Sequence, residues 1–490
     1  MALSLMKKGE NIMIQQPKLF FTLLAALLSI SAVQARTFNT FSNKNVLMHR
    51  SQHSNAAMEY STWHSHLYGQ GNGHMHSRLQ IAPFYQASER AKDLGKYFGV
   101  GNGTDTFKLG DAQDLDSKLV IHRSTGAPYA AADVKLAPEQ EQYGARFDFF
   151  QDLNSPIKNL FVRASTTAVH VQNNMHVTFS GVTQAGGSLT IADFFSGAGS
   201  NLTEAANKQA ALTKARMAGR RSAMGLADID FSLGHKCLQT ERSHAFFSVD
   251  MTIPVGNRVQ ADYAFAPTYG NGRHFGLGAS FDGGVKVWSN DVGSLRFNSV
   301  VRYKYLFENT EERTMSLKTG AHGTTGLQNN MSKYFLVGQV GLAGALQPLA
   351  NISSVGVSVK PGHQLDMLAA MSFSASKFTI DLGYNPFWRD AENVHVNSFA
   401  ADGKYKIVAP GFDASSTVAS GDELKLADFD LASITTPTLL THKLFGGVGY
   451  SWDAYGSTHM SVGLGGSYEF ATSNADIEQY AVWGKFNVSF

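Results

Sequence analysis

Six histidines crowd one stretch near the N-terminus: His49, His53, His64, His66, His74 and His76. The His-x-His pairs would set both imidazoles on one face of an extended chain, a geometry able to bind zinc, copper or nickel. Glu59 is the one acidic residue among them, and no supporting ligand can be named, so a wet, Gly-rich segment is the simpler reading and no metal is expected. Asp228 and Asp230 share a face as paired acid–base carboxylates would. No Gly-x-Ser-x-Gly elbow accompanies them, and the chain is expected to carry neither catalytic residues nor a cofactor.

Charges that recur at alternate positions say more. Arg78, Arg146, Arg296, Arg302 and Lys304, with Asp148, Asp228, Asp230, Asp250, Asp366 and Asp381, occupy the polar face of segments whose other face is apolar. Strand side chains alternate between two faces, so these residues would line whatever interior the strands enclose. Opposed charges set a transverse field across water, which suits passage of small polar solutes better than strong selection for one sign of ion. The competing reading is that the charges pair and fill a narrow barrel. A second basic group, Lys208, Lys214, Arg216, Arg220 and Arg221, follows Asn201 and Glu204 in an Ala- and Gln-rich stretch, and residues 201–222 read as an inserted helix. On a surface its charges keep it solvated; inside a barrel they would constrict the pore and favour anions.

Amphipathic strands must position these residues. Apolar and polar residues alternate over 79–85, 118–123, 143–149, 160–171, 227–237, 245–253, 275–281, 295–307, 334–342, 365–373, 378–388, 444–452, 460–470 and 480–490. That gives about fourteen strands, in a range of about 12 to 16, and most approach the roughly 9 to 11 residues a tilted strand needs to cross a bilayer. Short turns at 374–376 and 453–457 contrast with the long polar loop 389–442, as when one end of a barrel carries turns and the other loops. Counting back from the C-terminus, this phase fails at 308–333, which points to a missed or merged strand near 311–319 or 352–359.

Composition agrees. Charged residues are 16% of the 490, against roughly 25% in soluble domains, and one cysteine permits no internal disulfide. Lys7, Lys8 and Lys18 precede an apolar run at 19–30 and the small residues Ser31 to Ala35, a signal-peptide pattern with Ala35 the last residue removed. Its loss takes three of 41 basic and one of 39 acidic residues, leaving 38 of each and no footprint for nucleic acid. No later apolar run approaches the ~18 residues of a helical span.

The final strand is the most specific feature. Tyr480, Val482, Gly484, Phe486, Val488 and Phe490 share one face, and the chain ends on Phe490. In this terminus, its signal peptide and its repeating strands the sequence resembles bacterial outer-membrane β-barrels of porin-like, Gram-negative type. The resemblance implies an all-β, antiparallel transmembrane barrel in the outer membrane, reached through the periplasm. It also implies that Tyr480, Val482, Phe486, Val488 and Phe490 are read by the barrel-insertion machinery, and that the partners are membrane lipid and small solutes, with a homotrimer one expected assembly.

The resulting expectation is a polar 36–75 segment followed by a 76–490 barrel that passes small polar solutes. The alternatives are a transporter for hydrophobic substrates, similar to long-chain fatty-acid transporter barrels with an N-terminal plug, and a surface adhesin. Residues 36–75 stand where a plug would, but their His-, Asn- and Ser-rich character speaks against one.

Overall fold

The computed structural model describes residues 42–63, 76–100, 103–122, 128–153, 158–184, 189–200, 208–323, 329–454 and 458–490. The expected signal peptide, His64, His66, His74 and the first part of the expected helix lie outside them. Twelve strands form the barrel: β1 (Ser77–Glu89), β2 (Glu139–Asp152), β3 (Leu160–Asn174), β4 (Ile229–Gln239), β5 (Ser243–Ile253), β6 (Gly276–Ser289), β7 (Ser294–Leu306), β8 (Gly362–Ala375), β9 (Phe378–Arg389), β10 (Leu439–Asp453), β11 (His459–Ala471) and β12 (Glu478–Ser489). Each pairs antiparallel with its neighbours in sequence, and β12 closes on β1 with Arg78 opposite Ser489 and Glu89 opposite Glu478. A thirteenth strand, Arg221–Leu226, extends the edge beside β3 above β4.

Two of the fourteen expected strands are therefore not barrel strands. Of the expected strand 118–123, the described residues 118–122 belong to the cap described below, as do residues 334–342; a 3₁₀ turn at Ser117–Leu119 and the short strand Leu336–Gln339 stand in their place. Taking 334–342 out of the barrel restores the phase. All long connections now leave one end of the barrel, and the tight turns the other. The strand suspected near 311–319 exists as Asn309–Thr314 paired with Ser354–Lys360, but in a separate three-stranded sheet.

The alternation has a physical cause on both faces. Leu233, Val249, Val287, Ile380, Val448, Leu464 and Val482 point outward and are exposed, Leu464 by 67%, a belt that water would penalise and lipid does not. Near the loop end the belt turns aromatic and amphipathic: Tyr143 stacks on His170 at 4.6 Å and Tyr303 Oη lies 2.6 Å from His363 Nδ1. Rings with a polar handle favour such a membrane–water boundary. Tyr480, Val482, Phe486 and Phe490 are exposed on this outer face, with Val488 half-buried beside them.

The long connections fold together into a cap with its own apolar core. Phe98, Phe107, Phe194, Phe195, Tyr334, Val357 and Phe429 come from four different connections and are almost wholly buried in one cluster. Such a core also needs strands with one dry face, which is why cap and barrel segments share one sequence pattern.

Candidate functional site: the plugged lumen

The N-terminal segment runs from the cap down into the barrel. At its upper end the Ser42 amide donates to Asn474 Oδ1 (2.8 Å), the Asn45 side chain donates to the Thr314 carbonyl (2.8 Å), and Tyr97 Oη donates to the Val46 carbonyl (2.8 Å). Below, Asn55 caps the short helix α1 (Ala56–Tyr60) by accepting from the Met58 amide, and all five helix residues are buried. Met58, Tyr60 and Trp63 pack with Phe84, Phe150, Phe161 and Trp483 of the wall.

Charge fixes the segment at three levels. Arg50 donates to Asp366 (2.8 Å), Asn385 (2.9 Å) and Glu469 (3.2 Å). His53 lies 3.5 Å from Asp230, which Lys304 holds at 2.9 Å. Glu59 accepts from Arg146 (2.6 Å) and from both terminal nitrogens of Arg302 (2.8 and 2.6 Å), with Arg163 at 4.0 Å. Tyr60 Oη donates to Asp282 (2.8 Å), and Lys485 donates to the Glu59 carbonyl (2.9 Å). A carboxylate so placed replaces its lost hydration with charge-assisted hydrogen bonds; removing either side leaves the other buried and unpaired.

At the lower end Thr62 sits at φ 60°, a left-handed conformation costly for a β-branched residue, and its amide donates to Asp381. Three wall glycines make room for it. A Cβ on Gly447, Gly449 or Gly463 would come within 3.2, 3.1 and 2.7 Å of the Thr62 side chain. The double substitution Gly447→Val, Gly463→Val should therefore push the turn away from the wall, and protease cleavage within 45–63 in folded protein should rise; unchanged protection would refute the close fit.

The remaining sequence-nominated residues fall in two groups. Arg78 and Arg296 lie at the turn end of the interior, Arg78 over the Phe150 ring at 5.3 Å, and Asp250 bonds Ser248 (3.0 Å). Asp228 is drawn to the rim, where it accepts from the Gly256 (3.1 Å) and Asn271 (2.8 Å) amides. The expected helix is corrected: 208–220 is irregular and extended, with bridges from Gln209 to Leu346 and Arg216 to Tyr263, and 221–226 is a strand. Its Ala-rich propensity loses to cap packing. Lys214 pairs with Asp262 (2.7 Å) and Glu312 (2.8 Å), Arg216 and Arg221 cover the Tyr263 ring, and the Lys208 carbonyl accepts from Leu346, all in the cap; Arg220, next to Arg221, begins the outer edge strand's approach. No pore constriction is built from them. The expectation that the polar character of 36–75 speaks against a plug is likewise corrected: its described residues 45–63 run through the lumen, where their polar groups match a charged wall.

Sequence reasoning missed Lys443, Lys485, Arg163 and Glu469, although all four stand on polar faces of strands. A crevice between plug and wall, bounded by Glu59, Arg163, Asp230, Arg302 and Asp366, has a volume of about 40 Å³. At roughly 10–15 Å³ per water that is space for a few waters, not for a solute.

In the cap, burial pushes the Lys333 ammonium down to about 7, and its bond to Asn45 Oδ1 (2.6 Å) ties the plug's upper end in place. An unfolded lysine keeps its proton to about 10.5. Between those values the unfolded state binds more protons, so stability rises with pH, by at most about 1.4 kcal/mol per unit. Lys333→Met should flatten that rise in calorimetric scans from pH 7 to 10; an unaltered slope would assign it elsewhere.

Solved structures similar to the chain include the Pseudomonas putida toluene transporter TodX (10% identity over 93% of this chain and 99% of that one, TM-score 0.35), a Pseudomonas aeruginosa FadL homologue (9%, 90% and 98%, 0.31) and the CymD monoaromatic hydrocarbon channel (10%, 92% and 98%, 0.27). No family model and no curated protein matches it. The closed sheet, the apolar belt and the charged interior define a transmembrane β-barrel of the bacterial outer-membrane type.

Proposed function

We propose that this protein is a plugged outer-membrane transporter for hydrophobic small molecules rather than an open pore for polar solutes. The observation that carries the reading is the path of residues 45–63 through the lumen, held to the wall at three levels where a polar diffusion route would have to run. A twelve-stranded barrel is narrow enough for so short a segment to fill.

The wall supports an apolar cargo. The β1–β12 ladder skips Ala82 and Pro83 opposite Gly484 and Lys485, because proline has no N–H to donate. Proline also interrupts the β8–β9 ladder at Pro386, but there the side-chain Nδ2 of Asn385 donates to the Met367 carbonyl and bridges the gap. Outside the Pro83 interruption lies a groove of about 1010 Å³ lined by Ile81, Pro83, Ile380, Val462, Leu464 and Phe486. An apolar solute reaching that seam meets lipid, where it is soluble.

Accumulation of naphthalene, followed by its fluorescence in expressing cells, tests the reading alongside sucrose-driven swelling of proteoliposomes. Protein-dependent naphthalene uptake without swelling is expected. Rapid swelling in sucrose with no naphthalene uptake would restore the polar pore.

A further inference from the structure

The thirteenth strand leaves one side of its backbone uncovered. Arg221–Leu226 pairs with β3 along residues 168–173, and among the described residues no strand lies against its other edge. The Ala227 amide donates to the Thr167 carbonyl (2.8 Å), which fixes the phase of the ladder. Antiparallel bonds alternate, so Ala223 and Gly225 face β3, while Ser222, Met224 and Leu226 turn their N–H and C=O groups to the open edge. β5 would otherwise cover that edge. It stops at Ile253, opposite Ile229, because Pro254 has no N–H to carry the ladder on, and the Gly256 amide is drawn to Asp228 (3.1 Å).

The surroundings say what fits there. Met224 lies opposite His170, whose ring stacks on Tyr143 in the outer aromatic band, and Met224 and Leu226 are 76% and 45% exposed on that face. Lipid cannot bond the amides of this edge, and a row of them is a template for another backbone. Tyr269 closes the inner face: a Cβ on Gly225 would lie 2.5 Å from its hydroxyl. The rim is basic. Arg220, Arg221, Arg258 and Arg273 are exposed, with Arg273 anchored on the Gly256 carbonyl (2.8 Å), whereas Asp262 and Glu312 are bound by Lys214. A second copy does not fit. The strand continues the line of β4, tilted roughly 35–45° to the membrane normal, so a copy rotated by half a turn about that normal would cross it at roughly 70–90° instead of lying antiparallel.

We propose that the Arg221–Leu226 edge is a docking site for an extended, acidic segment of a partner protein, which adds one antiparallel strand beside Met224. Residues of that segment bonded to Ser222, Met224 and Leu226 share their outer face and are apolar, and its carboxylates meet the arginines. The inference stands apart from the transport reading, since the edge lies outside the lumen and uses no residue of the plug.

The probe is a fluorescein-labelled peptide, Glu-Val-Thr-Val-Thr-Val-Asp-Asp, followed by anisotropy with the folded full-length protein in detergent. It should bind. Methylating its three valine amides, which face the edge, should weaken it roughly tenfold or more, and methylating its threonine amides should not. Met224→Pro deletes one donor of the open edge and none that serves β3, so it should weaken the peptide roughly tenfold or more and leave the melting temperature within a degree or two. Ala223→Pro deletes a donor to β3 and should lower the melting temperature by several degrees. No binding to the parent, equal affinity in Met224→Pro, or equal affinity of the two methylated peptides would each overturn the proposal, as would a melting temperature of Met224→Pro that falls as far as that of Ala223→Pro. A dimer of the parent in sedimentation that Met224→Pro dissolves would give the edge to a second copy and overturn it too.

Discussion

Glu59→Ala is expected to open the barrel. Glu59 is the carboxylate on which Arg146 and Arg302 converge, and without it Arg302 keeps only the Tyr60 hydroxyl at 2.9 Å. Arg146 and Arg163 retain Asp148 and Asp282, so the barrel wall itself stays paired. Breaking a buried ion pair from one side costs about 3–5 kcal/mol, and at about 1.4 kcal/mol per decade that shifts the seated plug toward release by roughly two to three and a half orders of magnitude. The variant should therefore give discrete current steps in planar bilayers where the parent protein is silent, while still migrating as a folded, heat-modifiable barrel. Silence in a folded Glu59→Ala would mean that the three arginines do not hold the plug.

The second large effect belongs to the cap. Arg313 donates to Glu311 (2.8 Å) and to both oxygens of Glu392 (2.6 and 3.1 Å), and all three are buried. Burial works to raise the Glu392 carboxyl, but Arg313 outweighs it and holds the group below the usual carboxylate range. A depressed carboxylate contributes stability that is present above its unfolded value and lost as pH falls through its folded one. The native cap should thus resist acid until well below the ordinary carboxylate range. Arg313→Met leaves two buried carboxylates with one fewer cation. It should lower the cap's melting temperature by something on the order of 10 °C at neutral pH, from about 3–5 kcal/mol lost. Its loss of stability should shrink on acidification, because the stranded carboxylates can then take up protons. A melting temperature within a degree or two of the parent would show that the cluster is incidental.

These two clusters also show how far the sequence was legible. Alternation located every barrel strand, because each must show one face to lipid and one to the interior, and no other pattern survives those two solvents. It could not separate 334–342 from the barrel, because a strand packed on the cap core carries the same alternation as one packed on lipid. The inward charges Arg146, Arg302, Lys304 and Asp366 were visible as a face, whereas their partners Arg50, His53 and Glu59 were not, since contacts between residues separated by more than 80 positions leave no trace in local spacing. The polar character of 36–75 pointed away from a plug only under the assumption that plugs are apolar. A wall lined with charge demands the reverse.

The most direct test of the central claim is a disulfide between plug and wall. A Cβ on Gly449 would lie 3.1 Å from Cβ of Thr62, close to the roughly 3.5–4.5 Å of a natural bridge, and the one native thiol, Cys237, is exposed on β4. Thr62→Cys combined with Gly449→Cys, examined by peptide mapping of protein taken from outer membranes under oxidising conditions, should show the 62–449 bridge, and the bridged protein should stay silent in planar bilayers even when Glu59→Ala is added. Free thiols at both positions in folded protein, with steady current steps from the unbridged parent, would contradict a plug seated in the lumen.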